Sequence, residues 1–444
     1  MKEKRNFLIL GLGRATTPIV KFLLKRGEMV FGYDLIEEKK NQFSSSPNFT
    51  FISSEMISQL PRPIVAIVSP GIAENNPLVL SAQEIGEVVS DVEFIYQVVR
   101  EERRPMIVAI TGTNGKSTTT ALLGSILKMA KRKVFFGGNL APGKPAGCCL
   151  FGKDEILVFE VSSFQLEKIK EFRPRVAILL NIQKDHLDRY LSWEDYFGAK
   201  RNIFRNQTED DIAILNYDDP GSRMMAKEIR SKIFWFSSKR KKFPGIYWQN
   251  GKGLISLSGK REMTLRLPQK EWLNLENILA VSLAASLLGI TEKEIINGIK
   301  NFSGLPHRME FVRKVRGVSF VNNSMATNPS AFASSLNSFS RPVILIAGGK
   351  NKGFSLKEYL KPIEERSKFL ILIGEVKEKL YQSLPSAVRK RTYLANSLRE
   401  AVKEAFLRAR RNDIVLFSPG FSSFDMFRDF IDRGNSFKKM VRSL

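Results

Sequence analysis

Short apolar runs alternate with amphipathic stretches along the whole chain, in the order that produces parallel sheets with crossover helices. The pattern starts with a strand, a glycine turn and a helix over residues 6–27, followed by strands at 28–35 and 63–72. The charged stretch 98–106 breaks the pattern, and we expect a linker there. The pattern predicts a Rossmann-like amino-terminal domain over residues 1–104.

The next region has continuous apolar runs, which are typical of strands buried on both faces of a parallel sheet. The predicted strands are 107–111, 133–138, 155–163, 176–182 and 211–217. A helix that is apolar on most of its surface is predicted over 274–289. We therefore expect a central domain over residues 105–303.

The same pattern restarts in the last third of the chain. Strands are predicted at 318–324, 342–350, 369–375 and 413–420, with helical stretches between them. The third domain is therefore expected over residues 304–444. The predicted fold class is α/β with three domains, the first and last Rossmann-like and the central one built on a parallel sheet.

Composition and charge narrow the class of protein. No window reaches the about 18 to 20 apolar residues that a spanning helix needs, so we expect a cytoplasmic protein without a membrane span. The net charge of +25 could indicate nucleic-acid binding, but the basic runs 239–242 and 389–391 are short and not interleaved with aromatic residues. The sequence favours small anionic substrates over nucleic acid, and we expect a monomer.

The turn after the first central strand is a candidate phosphate site. Gly112 and Gly115 let the backbone approach a phosphate, Lys116 supplies positive charge, and the Ser117 hydroxyl is suited to Mg²⁺. The spacing GxxGKS differs from the usual GxxxxGK[ST], since residue 110 is Ile. A capped helix start with a solvated lysine is the alternative. The expected ATP contacts in this turn are Gly112, Thr113, Asn114, Gly115, Lys116, Ser117 and Thr118.

A second glycine turn lies at residues 11–16. Thr16 stands where a dinucleotide site has its third glycine, whereas Asp34 lies at the end of the second strand, as such a site requires. A phosphate-containing nucleotide is favoured over a redox cofactor.

Polar residues at strand ends of the central domain are expected to share a site with the phosphate turn. Glu160 ends one predicted strand, and His186 follows another. Strand ends of one parallel sheet converge on its ligand crevice. Both side chains could bind Mg²⁺ there, although His186 could instead cap a turn.

Ten motifs occur in one order along the chain. They are TGTNGKST, FFGGN, FEVSSFQLE, DHLDRY, AKRNIF, NLEN, GLPHRMEFV, SMATN, AGGKNKG and SPGFSSFDMFRDFIDRG. On these motifs the chain resembles the Mur ligase family, ATP-dependent amide-forming ligases of peptidoglycan synthesis. EVSSFQLE and the last motif resemble its D-glutamate-adding branch, and the Asp-Asn-Pro-Arg motif of the diaminopimelate- or lysine-adding branch is not found.

The resemblance implies a reaction and a set of site residues. The reaction would join D-glutamate to UDP-N-acetylmuramoyl-L-alanine through an acyl phosphate, with two Mg²⁺ ions. The implied catalytic residues are Lys116, Glu160, His186 and Lys200, and the implied metal ligands are Ser117, Glu160, His186 and Lys200 as its carbamate. The remaining implied contacts are Asn277, Arg308 and Asn323 for ATP, Gly13, Asp34, Gly71, Asn139 and Ser162 for the UDP-sugar, and Thr327, Lys352, Ser423 and Phe430 for the amino acid.

Two positions depart from the pattern of the family. Relatives usually have Asp where this chain has Asn323, and Lys where it has Met325. Asn323 can still bond hydroxyl groups, but Met325 cannot compensate a negative charge. Two alternatives stay open: a ligase for another amino acid, such as L-glutamate, and a nucleotide-binding homologue without ligase turnover.

Overall fold

The computed structural model describes residues 5–140, 143–183, 189–239, 244–257, 262–268 and 273–444. These residues form two compact units. The first unit is Met1–Pro268 with Leu275–Lys300, and the second is Gln269–Asn274 with Asn301–Leu444. The first unit contains two sheets and the second contains one.

The first sheet is a five-stranded parallel sheet in the order β3-β2-β1-β4-β5. Its strands are β1 (Asn6–Leu10), β2 (Met29–Tyr33), β3 (Phe49–Phe51), β4 (Ile64–Val68) and β5 (Gly86–Ser90). The associated helices are α1 (Thr17–Lys25), α2 (Pro77–Ile85) and α3 (Asp91–Glu102). Because β1 lies centrally between β2 and β4, the turn that follows it opens at the edge where nucleotides bind in such sheets.

The second sheet has nine strands in the order β14-β13-β12-β11-β10-β9-β6-β8-β7, with only the β12–β13 and β13–β14 pairs antiparallel. Its strands are β6 (Met106–Thr111), β7 (Val134–Gly138), β8 (Ile156–Glu160), β9 (Val176–Leu179), β10 (Ile212–Asn216), β11 (Lys232–Ser237), β12 (Gly245–Gln249), β13 (Lys252–Ser256) and β14 (Glu262–Leu265). Its helices are α4 (Lys116–Met129), α5 (Ser163–Glu167), α6 (Trp193–Arg201), α7 (Pro220–Met225), α8 (Leu275–Leu287) and α9 (Glu292–Asn301). Strand β6 lies between β8 and β9, so the phosphate turn after it has a strand end on each side.

The third sheet has six strands in the order β15-β16-β20-β17-β18-β19, and β15 is its one antiparallel strand. Its strands are β15 (Glu310–Val315), β16 (Val318–Asn322), β17 (Val343–Gly348), β18 (Ser367–Ile373), β19 (Thr392–Leu394) and β20 (Ile414–Gly420). Its helices are α10 (Pro329–Asn337), α11 (Lys357–Arg366), α12 (Lys377–Ser383), α13 (Ser386–Arg389), α14 (Leu398–Arg408) and α15 (Phe430–Arg442).

The apolar runs form strands because both faces of these strands are buried, as their sequence pattern predicts. Residues 343–348 in β17 are fully buried, because helices cover both faces of the sheet. Helix α8 is buried from Asn277 to Ala285, in agreement with its nearly uniform apolar surface.

The predicted linker over 98–106 is wrong at both ends. Helix α3 continues to Glu102, and β6 begins at Met106, so only residues 103–105 connect them. The charged residues that suggested a linker lie on the last turn of a helix whose other face is buried through Val99. A charged run is compatible with an amphipathic helix, and here the tertiary contacts of that face decide.

Candidate active site

The phosphate turn joins β6 to α4 in a conformation that needs its glycines. Gly115, directly before α4, has a φ of 86°, in the left-handed region that favours glycine. A Cβ on Gly115 would lie 2.5 Å from Asn277 Oδ1. Asn277 of α8 therefore packs directly against the turn, and its role as an ATP contact stays a prediction.

The neighbouring strand end holds the turn in place. Asn181 follows β9, and its backbone carbonyl accepts from Thr113 N at 2.9 Å while its side chain accepts from Asn114 N at 2.9 Å. The Thr113 hydroxyl lies 3.1 Å from the Tyr196 hydroxyl of α6. These bonds fix the loop before any ligand binds, which reduces the entropy that a ligand would otherwise have to overcome.

Two lysines converge on one carbonyl of the turn. Lys116 Nζ donates to Gly112 O at 2.8 Å, and Lys200 Nζ donates to the same oxygen at 3.0 Å. Lys200 is only 1% exposed and lies 4.6 Å from the centre of the Tyr196 ring. The Lys116 ammonium group beside a helix amino terminus creates a positive field suited to phosphates.

Oxygen donors suitable for Mg²⁺ lie at the start of α4 and at the neighbouring strand end. The Ser117 hydroxyl is buried and has no hydrogen-bond partner among the described residues. Glu160 ends β8 in register with Ile110 of β6 and is 2% exposed. A hydroxyl and a carboxylate fit Mg²⁺, which takes few protein oxygens and completes its shell with phosphate and water.

Two further metal ligands, His186 and Lys200, are expected from the resemblance. The part of the chain that the structure describes contains no group of three or more His, Cys, Asp and Glu side chains that could hold a metal ion. His186 lies outside the described residues. Lys200 is close to the turn, and its role as a carbamate stays a prediction.

The amino-terminal turn is held by Asp34, which accepts from Leu12 N at 2.7 Å, from Ile36 N at 3.0 Å and from Lys39 Nζ at 3.0 Å. Burial raises the pKa of Asp34, but these hydrogen bonds outweigh it and bring the pKa below its ordinary value. Thr16 is fully buried, and its hydroxyl donates to Gly11 O at 2.5 Å. Thr16 therefore stands in the position of the third glycine and stabilises the turn through the hydrogen bond of its buried hydroxyl group.

The remaining UDP-sugar candidates lie near these turns in the same unit. Gly71 has open space where a Cβ would be, and a Cβ on Gly13 would lie 3.9 Å from its nearest neighbour, Ser69 Oγ. Asn139 N donates to Glu160 O at 3.0 Å, which joins a UDP-sugar candidate to a metal candidate. Ser162 caps α5 reciprocally with Gln165.

The second unit contains the amino-acid candidates. Lys352 is exposed and lies 5.6 Å from the Phe424 ring centre, Ser423 is buried, and Thr327 and Phe430 are half-buried. The Phe430 carbonyl accepts from Ser324 Oγ at 2.8 Å.

Two nucleotide-side candidates also lie in the second unit. Arg308 is half-buried. Asn323 is 4% exposed, accepts from Met309 N at 3.2 Å and donates to Ser418 Oγ at 3.2 Å. Asparagine can fill both roles at once, whereas an ionised aspartate can only accept.

Sequence reasoning missed two arginines, the buried Arg433 and the partly buried Arg189. Arg433 is 1% exposed and joins Ser324 to Phe421, the loops that also carry Thr327 and Ser423. Burial lowers its pKa to about 10, so the guanidinium keeps its charge at neutral pH. Arg189 donates to Pro70 O and Ile72 O, on both sides of Gly71. No signal in the sequence separates these two from the other basic residues, because only the fold reveals their partners and their low exposure.

The fold and this site define a nucleoside-triphosphate-binding α/β protein. The chain matches the family model for the Mur ligase middle domain over residues 110–285 and that for the Mur ligase glutamate ligase domain over residues 307–421. A UDP-N-acetylmuramoylalanine–D-glutamate ligase of Thermoanaerobacter sp. (strain X514) is 38% identical over 460 residues, covering 99% of this chain and 98% of the relative. The enzyme of that name from Caldanaerobacter subterraneus is 36% identical, with 100% and 99% covered. The chain belongs to the Mur ligase family.

Solved structures agree on the three-domain α/β fold. The UDP-N-acetylmuramate–alanine ligase of Thermotoga maritima has a TM-score of 0.58 at 19% identity, and the match covers 99% of both chains. A MurF ligase of the same organism in complex with ADP has a TM-score of 0.53 at 20% identity, covering 88% of this chain and 97% of that one. The predicted fold class and family resemblance are confirmed, and the protein is an ATP-dependent ligase. No described helix is both long and apolar enough to cross a membrane.

Proposed function

We propose that this ligase joins D-glutamate to UDP-N-acetylmuramoyl-L-alanine. Relatives named for this activity match the chain over nearly its full length. The observation that carries the proposal is the convergence of Lys116 and Lys200 on Gly112 O, beside the buried Glu160. The positive charge of Lys116 serves the phosphates of ATP, and the carboxylate of Glu160 and the side chain of Lys200 lie where an ATP–Mg²⁺ site requires metal ligands.

ATP binds along the phosphate turn, on which Asn277 packs. The family resemblance adds Arg308 and Asn323 as proposed ATP contacts. Gly112, Thr113, Asn114, Gly115, Lys116, Ser117 and Thr118 line the phosphates. Ser117 and Glu160 would hold one Mg²⁺, and His186 and Lys200, as its carbamate, would hold a second. These ions neutralise phosphate charge.

The reaction begins when the alanine carboxylate attacks the γ-phosphate of ATP and ADP leaves. The glutamate amine then attacks the carbonyl of the resulting acyl phosphate, and inorganic phosphate leaves as the amide forms. Phosphoryl transfer depends on in-line placement and charge stabilisation more than on covalent help. Lys116 supplies stabilisation from a preorganised position, since its ammonium group is already held by Gly112 O and Thr113 O.

The two other substrates occupy the remaining candidate residues. The UDP-sugar contacts Gly13, Asp34, Gly71, Asn139 and Ser162, and glutamate contacts Thr327, Lys352, Ser423 and Phe430. We assign the domains as residues 1–104 for the UDP-sugar, 105–303 for ATP and 304–444 for the amino acid, a division supported by one sheet in each. A monomer acting in the cytoplasm, where ATP is available, needs no further partner.

Release of ADP by the purified protein tests this proposal. The protein receives Mg²⁺-ATP, UDP-N-acetylmuramoyl-L-alanine and, in separate reactions, D-glutamate, L-glutamate or another amino acid, and mass spectrometry identifies the product. D-glutamate should give ADP and the matching amide. Turnover with only another amino acid would show that the enzyme is specific for that amino acid and not for D-glutamate. ATP binding without any turnover would favour a non-catalytic homologue.

A further inference from the structure

Arg189 connects the segment that follows His186 in sequence to the turn that carries Gly71. Its guanidinium donates to Pro70 O at 2.8 Å and to Ile72 O at 3.2 Å, on both sides of Gly71. The side chain is 14% exposed, so water competes little for these bonds. Both acceptors are backbone carbonyls, so these bonds hold the backbone of the turn in a fixed position relative to Arg189.

The same guanidinium is held by α5. Arg189 Nη2 lies 3.0 Å from Glu167 Oε2, and its central carbon lies 3.8 Å from the centre of the Phe164 ring. Helix α5 begins directly after Ser162, the UDP-sugar candidate. Arg189 thus meets the two chain segments that carry Gly71 and Ser162.

Glu167 has two further neighbours that hold it in place. The Tyr190 hydroxyl donates to Glu167 Oε1 at 2.5 Å, and Lys168 Nζ lies 3.8 Å from Oε2. Burial and the bond to Glu167 raise the pKa of Tyr190, so its hydroxyl stays a donor. Both carboxylate oxygens are engaged, and Arg189 consequently has a fixed counter-ion.

We propose that Arg189 is a positioning residue for the UDP-sugar site, which couples the turn that carries Gly71 to α5, whose amino terminus carries Ser162. The proposal rests on the proposed function in taking the Gly71 turn as part of that site. The guanidinium contacts both segments at once, so a shift of the Gly71 turn relative to α5 would break its bonds to Pro70 O and Ile72 O or its ion pair with Glu167. Arginine suits this role because its planar fork can serve two carbonyls, a carboxylate and an aromatic face together.

Lysine cannot reproduce this geometry, since it has one ammonium group on a flexible chain. Arg189→Lys therefore keeps the charge and removes the fork. Arg173→Lys is the matched control. Arg173 lies in the same unit and donates to Asp211 at 2.7 Å and to Thr208 at 2.6 Å, and these partners belong to neither the Gly71 turn nor α5. The affinity for UDP and for ATP is measured by calorimetry, and kcat and KM by ADP release.

Arg189→Lys should lose on the order of 10-fold to 100-fold in kcat/KM for the UDP-sugar, because small displacements of reacting groups are costly. UDP affinity should fall as well, whereas ATP affinity should stay within about twofold and Arg173→Lys should resemble the wild type. Unchanged UDP affinity and kcat/KM would overturn the coupling. An equal fall in UDP affinity, ATP affinity and melting temperature would also overturn it, since that pattern marks a residue needed only for folding.

A second variant covers the case in which Arg189→Lys does not fold. Glu167→Gln keeps the shape and removes the counter-ion, so it should lower UDP affinity and kcat/KM in the same direction, and wild-type values would overturn the proposal. UDP binding requires no amino acid. A wild-type protein that binds UDP but does not use D-glutamate would therefore refute the proposed function and leave the Arg189 test intact.

Discussion

Asp91→Asn should change how the stability of the first unit depends on pH. Asp91 opens α3 and is 1% exposed, and Gln165 Nε2 donates to its two carboxylate oxygens at 3.0 and 2.9 Å. Gln165 Oε1 in turn accepts from Ser162 N at 3.0 Å and from Ser162 Oγ at 3.2 Å. Asp91 is therefore linked through one side chain, that of Gln165, to Ser162, which is a UDP-sugar candidate.

Burial raises the pKa of Asp91 from 3.8 to about 6, against the opposing hydrogen bonds of Gln165 and the backbone. The folded protein thus binds this proton more tightly than the unfolded chain. The resulting stabilisation is fully present below pH 3.8 and is lost as the pH rises through about 6. The difference between the two pKa values corresponds to about 3 kcal/mol of unfolding free energy.

Asparagine resembles the protonated carboxyl group and does not titrate. The stability of Asp91→Asn relative to wild type should therefore increase by about 2.5 kcal/mol between pH 4 and pH 7.5, since the unfolded carboxyl group is already partly ionised at pH 4. Urea unfolding at a series of pH values, followed by hydrogen exchange in peptides from α3 and α5, measures this difference. An effect of the substitution on packing or hydrogen bonding that does not depend on pH changes the unfolding free energy equally at both pH values. It therefore cancels in this difference.

Asp413→Asn is a control of opposite sign. Burial raises the pKa of Asp413, but its bonds to Lys368 and to Arg410 N outweigh this and lower the pKa. Its stabilisation is present above its unfolded pKa and is lost as the pH falls, so Asp413→Asn should cost most at neutral pH. Parallel pH curves for Asp91→Asn and wild type would refute the reasoning on Asp91.

Three further predictions concern the phosphate turn. Lys116→Ala should abolish ATP-dependent product formation with little change in melting temperature, and normal turnover would remove the lysine from the mechanism. Lys200→Ala should be inactive and partly rescued by short carboxylic acids if a carbamate is the working group; a folded variant without rescue would contradict that role. Gly115→Ala should weaken ATP binding about tenfold, because the φ of residue 115 is 86° and the new Cβ would lie 2.5 Å from Asn277 Oδ1. The left-handed conformation costs a non-glycine residue about 1 to 2 kcal/mol. An ATP affinity equal to that of the wild type, measured by calorimetry, would refute this prediction.

Much of the fold can be predicted from the periodicity of apolar residues. The runs around β6, β8, β9 and β17 are continuous because both faces of a parallel sheet are covered, and such runs cannot be placed elsewhere without exposing apolar surface. Short strands with weak patterns, such as β3 and β19, were not predicted. Three residues carry too little periodicity to distinguish a strand from a loop.

The phosphate turn could also be predicted, because its chemistry is local. Gly112, Gly115, Lys116 and Ser117 follow one strand and start one helix, so their backbone and side chains share a site in any fold that keeps the two elements. The position of Glu160 was predicted by a general rule about strand ends, and the register of β6 with β8 agrees with it.

The sequence by itself determined the alternating strands and helices, the glycine turns and the residues able to bind phosphate and Mg²⁺. Tertiary structure alone decided that Lys116 and Lys200 meet at one carbonyl, that Asn277 packs on Gly115, and that Arg189 spans the Gly71 turn and α5. The physical reason is separation along the chain. Propensity and periodicity act over a few residues, whereas these contacts join residues tens to hundreds of positions apart and exist only after the sheets have formed.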